Sequence, residues 1–93
     1  MIKRIRHKGL RALFETGNSA GVRPDQIKRL RRILAILDSA AAPADLQGFP
    51  GLRPHRLKGE YAGYWSVTVS GNRRLVFRFE GEDVTDVHLI DYH

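Results

Sequence analysis

Residues 64–90 read YWSVTVSGNRRLVFRFEGEDVTDVHLI. Their apolar positions recur every second residue, the period of an extended chain with one buried face. Trp65, Val67 and Val69 point one way, and Tyr64, Ser66 and Thr68 the other. Gly71 and Asn72 signal a tight turn, the strongest short-range mark of a hairpin. Beyond it Leu75, Phe77 and Phe79 face the core, which leaves Arg74, Val76 and Arg78 outward. A second turn at residues 80–83 (EGED) leads into residues 84–90 (VTDVHLI). Three strands joined by two short turns make an antiparallel meander.

Upstream of this stretch the period changes to that of a helix. Ile27, Leu30, Ile33, Leu34 and Leu37 form one stripe of a helix running from Pro24 to Ser39, with Lys28, Arg29, Arg31 and Arg32 on the opposite face. Pro24 suits a first helical position and Asp25 the positive end of the helix. Ile36 falls outside the stripe. Leu10, Leu13 and Phe14 predict a shorter helix stopped by Gly17, and Ile2 and Ile5 a short first strand. Residues 40–54, rich in Ala, Gly and Pro, form a connection from helices to sheet. The expected architecture is α+β: one domain over residues 1–93, β-α-α followed by the meander, with the helices packed on one face of the sheet.

The chain has 93 residues, no cysteine and a net charge of +6. A domain of this size buries roughly 60–65% of the surface its unfolded chain exposes, so chemistry is expected on an open face rather than in a deep pocket. Without cysteine there are no disulfides or thiolate metal ligands, and the four histidines lack metal-ligand spacing. No cofactor or metal is expected. No apolar run is long enough to span a membrane, and the basic start lacks the apolar stretch of a signal peptide, which makes the cytoplasm the expected location. The charge is uneven: +8 over residues 1–32 and +5 over residues 53–78, against −5 over residues 79–93. Clustered cations on a basic chain suit a polyanion, most simply nucleic acid. If Leu57 joins the core, Arg56 and Lys58 share the outward face with Arg74 and Arg78. With Tyr61, Tyr64 and Tyr92 nearby, such a face suits RNA phosphates and bases, though it would equally well solvate an open sheet.

The stretch IKRIRHKGLRALFETG (residues 2–17) and the block HRLKGEYAGYWSVTVSGNRRLVFRFEGEDVTDVHLIDYH (residues 55–93) resemble the HigB toxins, the proteic-killer branch of the RelE/ParE superfamily of toxin–antitoxin systems. The most specific pieces are LKG, GYWS, the GN turn followed by arginine, and DYH. The resemblance implies a compact fold on an antiparallel sheet and ribosome-dependent endonuclease activity on mRNA. It also implies a cognate helix-turn-helix antitoxin of the HigA kind, through which alone the toxin would meet DNA. The functional positions it carries over are His55, Lys58, Arg74, Asp91, Tyr92 and His93. Arg73 stands where the family commonly has an aromatic, and Arg56 where a smaller or apolar residue is common.

Metal-independent RNA cleavage needs a group to take the 2′-hydroxyl proton, cations on the phosphoryl oxygens and a donor for the 5′-oxygen. Lys58 and Arg74 suit the phosphate, with Arg56, Arg73 and Arg78 as further RNA contacts; arginine can grip phosphate with two parallel hydrogen bonds. His55 and His93 are the proton-transfer candidates, with their order left open. Asp91 would orient an imidazole or share the base role, and Tyr92 would stack on a base. Strict alternation, however, gives His55 the side of Leu57 rather than of Lys58, so a bend after Pro54 is needed to re-aim it. His7 and His88 are expected to be structural or merely exposed. The basic helix face of Lys28, Arg29, Arg31 and Arg32 is expected to grip ribosomal RNA without serving the fold. Two other readings fit the same composition: a ParE-like inhibitor of DNA gyrase, and an RNA-binding module without chemistry.

Overall fold

The computed structural model describes residues 1–91. Helix α1 spans Lys8–Thr16 and α2 spans Ile27–Ser39; strands β1 (His55–Arg56), β2 (Trp65–Ser70), β3 (Arg73–Glu80) and β4 (Asp83–Asp91) follow. The strands form one antiparallel sheet in the order β1-β2-β3-β4, the expected meander with one short strand added at its edge. The expected first strand is reduced to two parallel bridges, Ile2 to Val84 and Ile5 to Val87, along the outer edge of β4. Lys3 and Arg6 donate their backbone N–H groups to the carbonyls of Val84 and Val87. This contact covers an edge that would otherwise invite pairing with another chain.

One layer of core lies between the sheet and the two helices. Val67, Leu75, Phe77, Val84 and Val87 from the sheet meet Leu10 and Leu13 of α1 and Leu30, Ile33, Leu34 and Leu37 of α2. The helical stripe holds at four of its five positions, Ile27 being half-buried at the margin. Ile36, outside the stripe, is buried too, in a crevice it shares with Phe49, Pro50 and Leu52. The connection is therefore part of the core. It carries a 3-10 turn at Pro43–Leu46 and buries Leu46 and Leu52. A further 3-10 turn, Pro24–Gln26, takes the place of the first helical turn expected at Pro24. Gly9 of α1 lies flat against Gly21, and a methyl group there would collide with the Gly21 carbonyl.

Strict alternation in β4 fails at Asp86. Arg78 pairs with Thr85 and Val76 with His88, so Asp86 and Val87 together face Phe77. This is a bulge, and the extra residue lets Val84 and Val87 both point into the core although they are three positions apart. Asp86 takes a left-handed backbone, φ 52°, and its carboxylate accepts a 2.7 Å hydrogen bond from Arg78 Nε. That hydrogen bond is the main reason the Arg78 pKa is raised.

Two side chains fasten α2 to the end of β2. Gln26, almost wholly buried, donates to Ser70 Oγ at 2.6 Å. Arg29 donates to the Thr68 carbonyl from Nε and Nη2, at 3.2 and 2.8 Å, and to the Gly51 carbonyl at 3.0 Å. The reading of Lys28, Arg29, Arg31 and Arg32 as one solvent-facing set is thus corrected. Arg29 belongs to the fold because a bulge between Thr68 and Ser70 interrupts the strand register there and leaves the Thr68 carbonyl to the guanidinium. Arg31 reaches the Gly17 carbonyl at 3.2 Å. Lys28, Arg31 and Arg32 are exposed.

His7 caps α1, its Nδ1 accepting from the Leu10 N–H at 3.1 Å, and its ring lies 5.9 Å from that of His88. Both imidazoles titrate below the ordinary histidine value: His7 through burial, then the charges of His88 and Arg73; His88 through burial, then Arg6.

Arg29→Ala should lower stability by about 1–3 kcal/mol, because two carbonyls lose a charged donor. The exposed Arg32→Ala should change it by less than about 0.5 kcal/mol in the same urea titration. The histidines predict a pH dependence. Their folded pKa values lie below those of the unfolded chain, so below about 6.5 the unfolded chain binds more protons. Their contribution to stability is full above that value and lost as pH falls through the lowered pKa values. Urea midpoints should drop on acidification from pH 7.5 to 5, and less steeply in a His7→Asn/His88→Gln double variant, in which asparagine keeps the helix cap.

Candidate active site on the outer sheet face

The helices cover one face of the sheet and leave the other turned away from the core. Cross-strand partners share a face, so the register decides which side chains meet on it. His55 pairs with Ser66, Ser66 with Val76 and Val76 with His88, giving one row across all four strands. The neighbouring row on the same face is Thr68, Arg74 and Ile90. Arg74 donates from Nη1 to Thr68 Oγ1 at 2.7 Å, which fixes its guanidinium over this face. Val76, at the middle of the first row, is fully buried although it points away from the helices.

The register corrects the parity argument for β1. His55 stands on the face of Arg74 with no bend needed, and Arg56 is the residue turned to the other side. Arg56 pairs with Trp65 and holds its guanidinium 5.9 Å from the centre of that ring. The physical reason is that Leu57, expected in the core, is only half-buried, so it does not dictate the phase of the strand. The Leu57 N–H donates to the Tyr64 carbonyl at 2.9 Å, and the strand ends there. Lys58, exposed, then precedes the 3-10 turn Gly59–Tyr61. Tyr61 and Tyr64 pack edge to face, 5.6 Å apart.

Arg73 and Asp91 form the second local pair. They are cross-strand partners at the start of β3 and the end of β4, and Arg73 Nε lies 3.7 Å from Asp91 Oδ1. The arginine that departs from the family pattern therefore neighbours one of the expected functional residues. Arg78 sits farther along β3, engaged by Asp86 at 2.7 Å and Glu80 at 3.5 Å. Of the expected site, the structure thus brings Arg74 to the face of His55 and Arg73 to Asp91. It keeps His55 and Asp91 on opposite edge strands, and neither His55 nor Lys58 hydrogen-bonds to Asp91. Tyr92 and His93 lie outside the described residues.

The sequence reading missed the contact of His7 with His88 and the hydroxyl of Thr68 that holds Arg74. Thr68 was legible in principle, by its parity with Ser66 and its place just before the turn. No spacing signals a contact between residues 81 positions apart. A hollow of about 410 Å³ lies between the N-terminal segment and α1, lined by residues such as Arg6, Arg11 and Phe14, and holds none of the expected catalytic residues. The candidate site is an open sheet surface.

Among known proteins, the family described as "RelE-like toxin of type II toxin-antitoxin system HigB" matches residues 3–93. The chain is 39% identical over 93 residues to the protein named endoribonuclease HigB of Proteus vulgaris, covering the whole of both chains. It is 34% identical over 80 residues to toxin HigB-1 of Vibrio cholerae serotype O1, covering 85% of this chain and 84% of that one. A solved structure titled YoeB/ParE toxin, from Agrobacterium tumefaciens, aligns over 90% of this chain and 85% of its own with a TM-score of 0.46 and 19% identity. No helix among the described residues is long and apolar enough to cross a membrane. A complete-length match to one family, joined to an arginine-bearing sheet face of the expected α+β meander, makes this chain a member of the HigB family of RelE-like toxins, which act within type II toxin–antitoxin systems.

Proposed function

We propose that this chain is the toxin of its pair and acts as an endoribonuclease that cuts mRNA on the translating ribosome. The observation that carries this reading is the full-length likeness to a protein named endoribonuclease, together with His55 and Arg74 on one open face. The gyrase-inhibitor and plain RNA-binding readings are less well supported, since neither accounts for a relative with that name.

In the proposed reaction the ribose 2′-oxygen attacks the adjacent phosphorus. A bond forms from that oxygen to phosphorus and the bond to the 5′-oxygen breaks, leaving a 2′,3′-cyclic phosphate and a 5′-hydroxyl. One imidazole of the pair His55 and His93 takes the 2′-hydroxyl proton, and the other supplies a proton to the 5′-oxygen. Arg74, preorganised by Thr68, and Lys58 neutralise the charge growing on the phosphoryl oxygens. Asp91 orients an imidazole, and Tyr92 stacks on a base. Arg56 and Arg73, turned to the other side of the sheet from Arg74, would meet RNA only where the strand wraps past the sheet edge, and Arg78 is restrained by its two carboxylates. Lys28 and Arg32, with Arg31 lightly tied to the Gly17 carbonyl, would meet ribosomal RNA, and the antitoxin partner would be a HigA-like helix-turn-helix protein. No metal enters these steps. The proposed location is the cytoplasm.

Primer extension on a message in a translating bacterial extract tests this directly. The wild type should produce cuts that require translation, and folded His93→Ala and His55→Ala proteins should cut roughly 10²–10⁴-fold more slowly. Growth arrest without any cut would move the assignment to the gyrase-type inhibitor.

Arg73→Trp, which restores the family's aromatic, releases Asp91 from its 3.7 Å partner. A half-exposed pair of this length contributes only about 0–1 kcal/mol to stability, so the variant should fold. It should shift the cut positions or efficiency without abolishing cleavage. Identical cut maps and rates would show that the pairing has no part in the reaction.

A further inference from the structure

The start of α2 and the 3-10 turn before it grip the end of β2 at two points. Gln26 donates to Ser70 Oγ at 2.6 Å, and Arg29 donates to the Thr68 carbonyl from Nε and Nη2 at 3.2 and 2.8 Å. Between these anchors lies Val69, buried in the core, the extra residue of the bulge: Ser70 pairs with Arg73, but Thr68 pairs with Arg74. Continued without a break from Ser70 and Arg73, the ladder would set Val69 opposite Arg74 and leave the Thr68 hydroxyl one step away. The bulge therefore decides what Arg74 meets, in the way that bulges beside functional sites re-aim a side chain.

Hydrogen bonds run in series from the helix to the open face. Arg29 holds the Thr68 carbonyl, and Thr68 Oγ1 accepts from Arg74 Nη1 at 2.7 Å. Carbonyl and hydroxyl belong to one residue, so a shift of the Thr68 backbone moves both. Arg29 Nη2 also reaches the Gly51 carbonyl at 3.0 Å, four residues before His55. One half-buried guanidinium thus ties the end of β2 to the approach to β1. Only the planar fork of arginine lets a single side chain bridge both carbonyls in this way; the compact ammonium of lysine lacks it.

We propose that Arg29 is a positioning residue for RNA cleavage: through the Thr68 backbone it fixes the hydroxyl that holds Arg74 on the outer face. The proposal deepens the nuclease reading and rests on it for the role of Arg74 at the phosphate. Arg29 itself does not touch the reacting atoms. Its effect falls on the rate, because a guanidinium already aimed stabilises a developing charge without first reorganising. An Arg29 that served the fold alone would change stability and leave the behaviour of Arg74 in the folded protein as it was.

The test compares the full-length wild type with Arg29→Lys, Thr68→Val and the double variant, at a temperature where urea titration shows all four folded. Lysine, chosen over alanine, keeps the charge and one donor; valine keeps the shape and carbonyl of residue 68 and removes its hydroxyl. Two quantities are read: the rate of translation-dependent cutting in the bacterial extract, and rotation of the Arg74 guanidinium about its Nε–Cζ bond by NMR. Each single variant should cut about tenfold more slowly or worse, with faster rotation, since a charged hydrogen bond is lost or loosened. The double variant should be at most about threefold slower than the slower single one, because both changes act on one hydrogen bond. Wild-type rate and rotation in Arg29→Lys would overturn the proposal, as would rate losses that multiply in the double variant. The nuclease reading fails separately: a wild type that cuts nothing removes that reading and the role in cleavage with it, whereas faster Arg74 rotation in Arg29→Lys would still establish the linkage itself.

Discussion

The seating of Val76 between Ser66 and His88 is the constraint on which the rest of the molecule depends. Val76 lies on the central strand pair and is fully buried, so its two neighbours must present their outer-face side chains in register with it. On the reverse side the same register puts Val67, Leu75 and Leu89 against the helices. A slip of one residue would exchange the faces of a whole strand, driving Arg74 into the core and Leu75 out of it. The bulge at Asp86 is compatible with this register because it adds its extra residue beyond the row, where Arg78 and Arg4 can neutralise the carboxylate. The faces of β1 follow from the same pairing. Its two residues have no core anchor of their own, and partnership with Ser66 and Trp65 is what aims His55 and Arg56.

The cations divide into two populations that composition does not distinguish. Arg29 and Arg78 are held by hydrogen bonds within the fold, the first on backbone carbonyls and the second on Asp86. Arg31 is lightly tied to the end of α1, whereas Lys28, Arg32 and Lys58 remain exposed. The net charge of +6 therefore does not by itself say which cations are left to meet a polyanion. Arg74 is an intermediate case. Its hydrogen bond to Thr68 restrains the guanidinium while keeping it on the sheet surface, the condition under which a charged group stabilises a developing charge without first reorganising.

The likeness to the HigB toxins and the physical reading of the residues meet at particular positions. Arg73, a departure from the family pattern, sits across from Asp91, which the pattern retains. An arginine beside this proposed site residue brings its own ion pair and so alters the local electrostatics without altering the strand. The antitoxin partner follows from family membership.

Local pattern by itself determined the elements. Period-two alternation identified β2 and β3, the spacing of Leu30, Ile33, Leu34 and Leu37 identified α2, and Gly17 marked the end of α1, because each depends on neighbours within one or two turns of chain. The parity of Thr68, Arg74 and Arg78 was likewise legible, since strong core residues on both sides set the phase. Tertiary structure alone decided what depends on distant partners: the face of His55, the burial of Ile36 and Leu46, the capture of Arg29 by Thr68 and Gly51, and the approach of His7 to His88. Each of these is a contact between segments separated by a connection or by the whole sheet. No short-range periodicity carries that information, because the free energy that selects such contacts exists only once the register has been set.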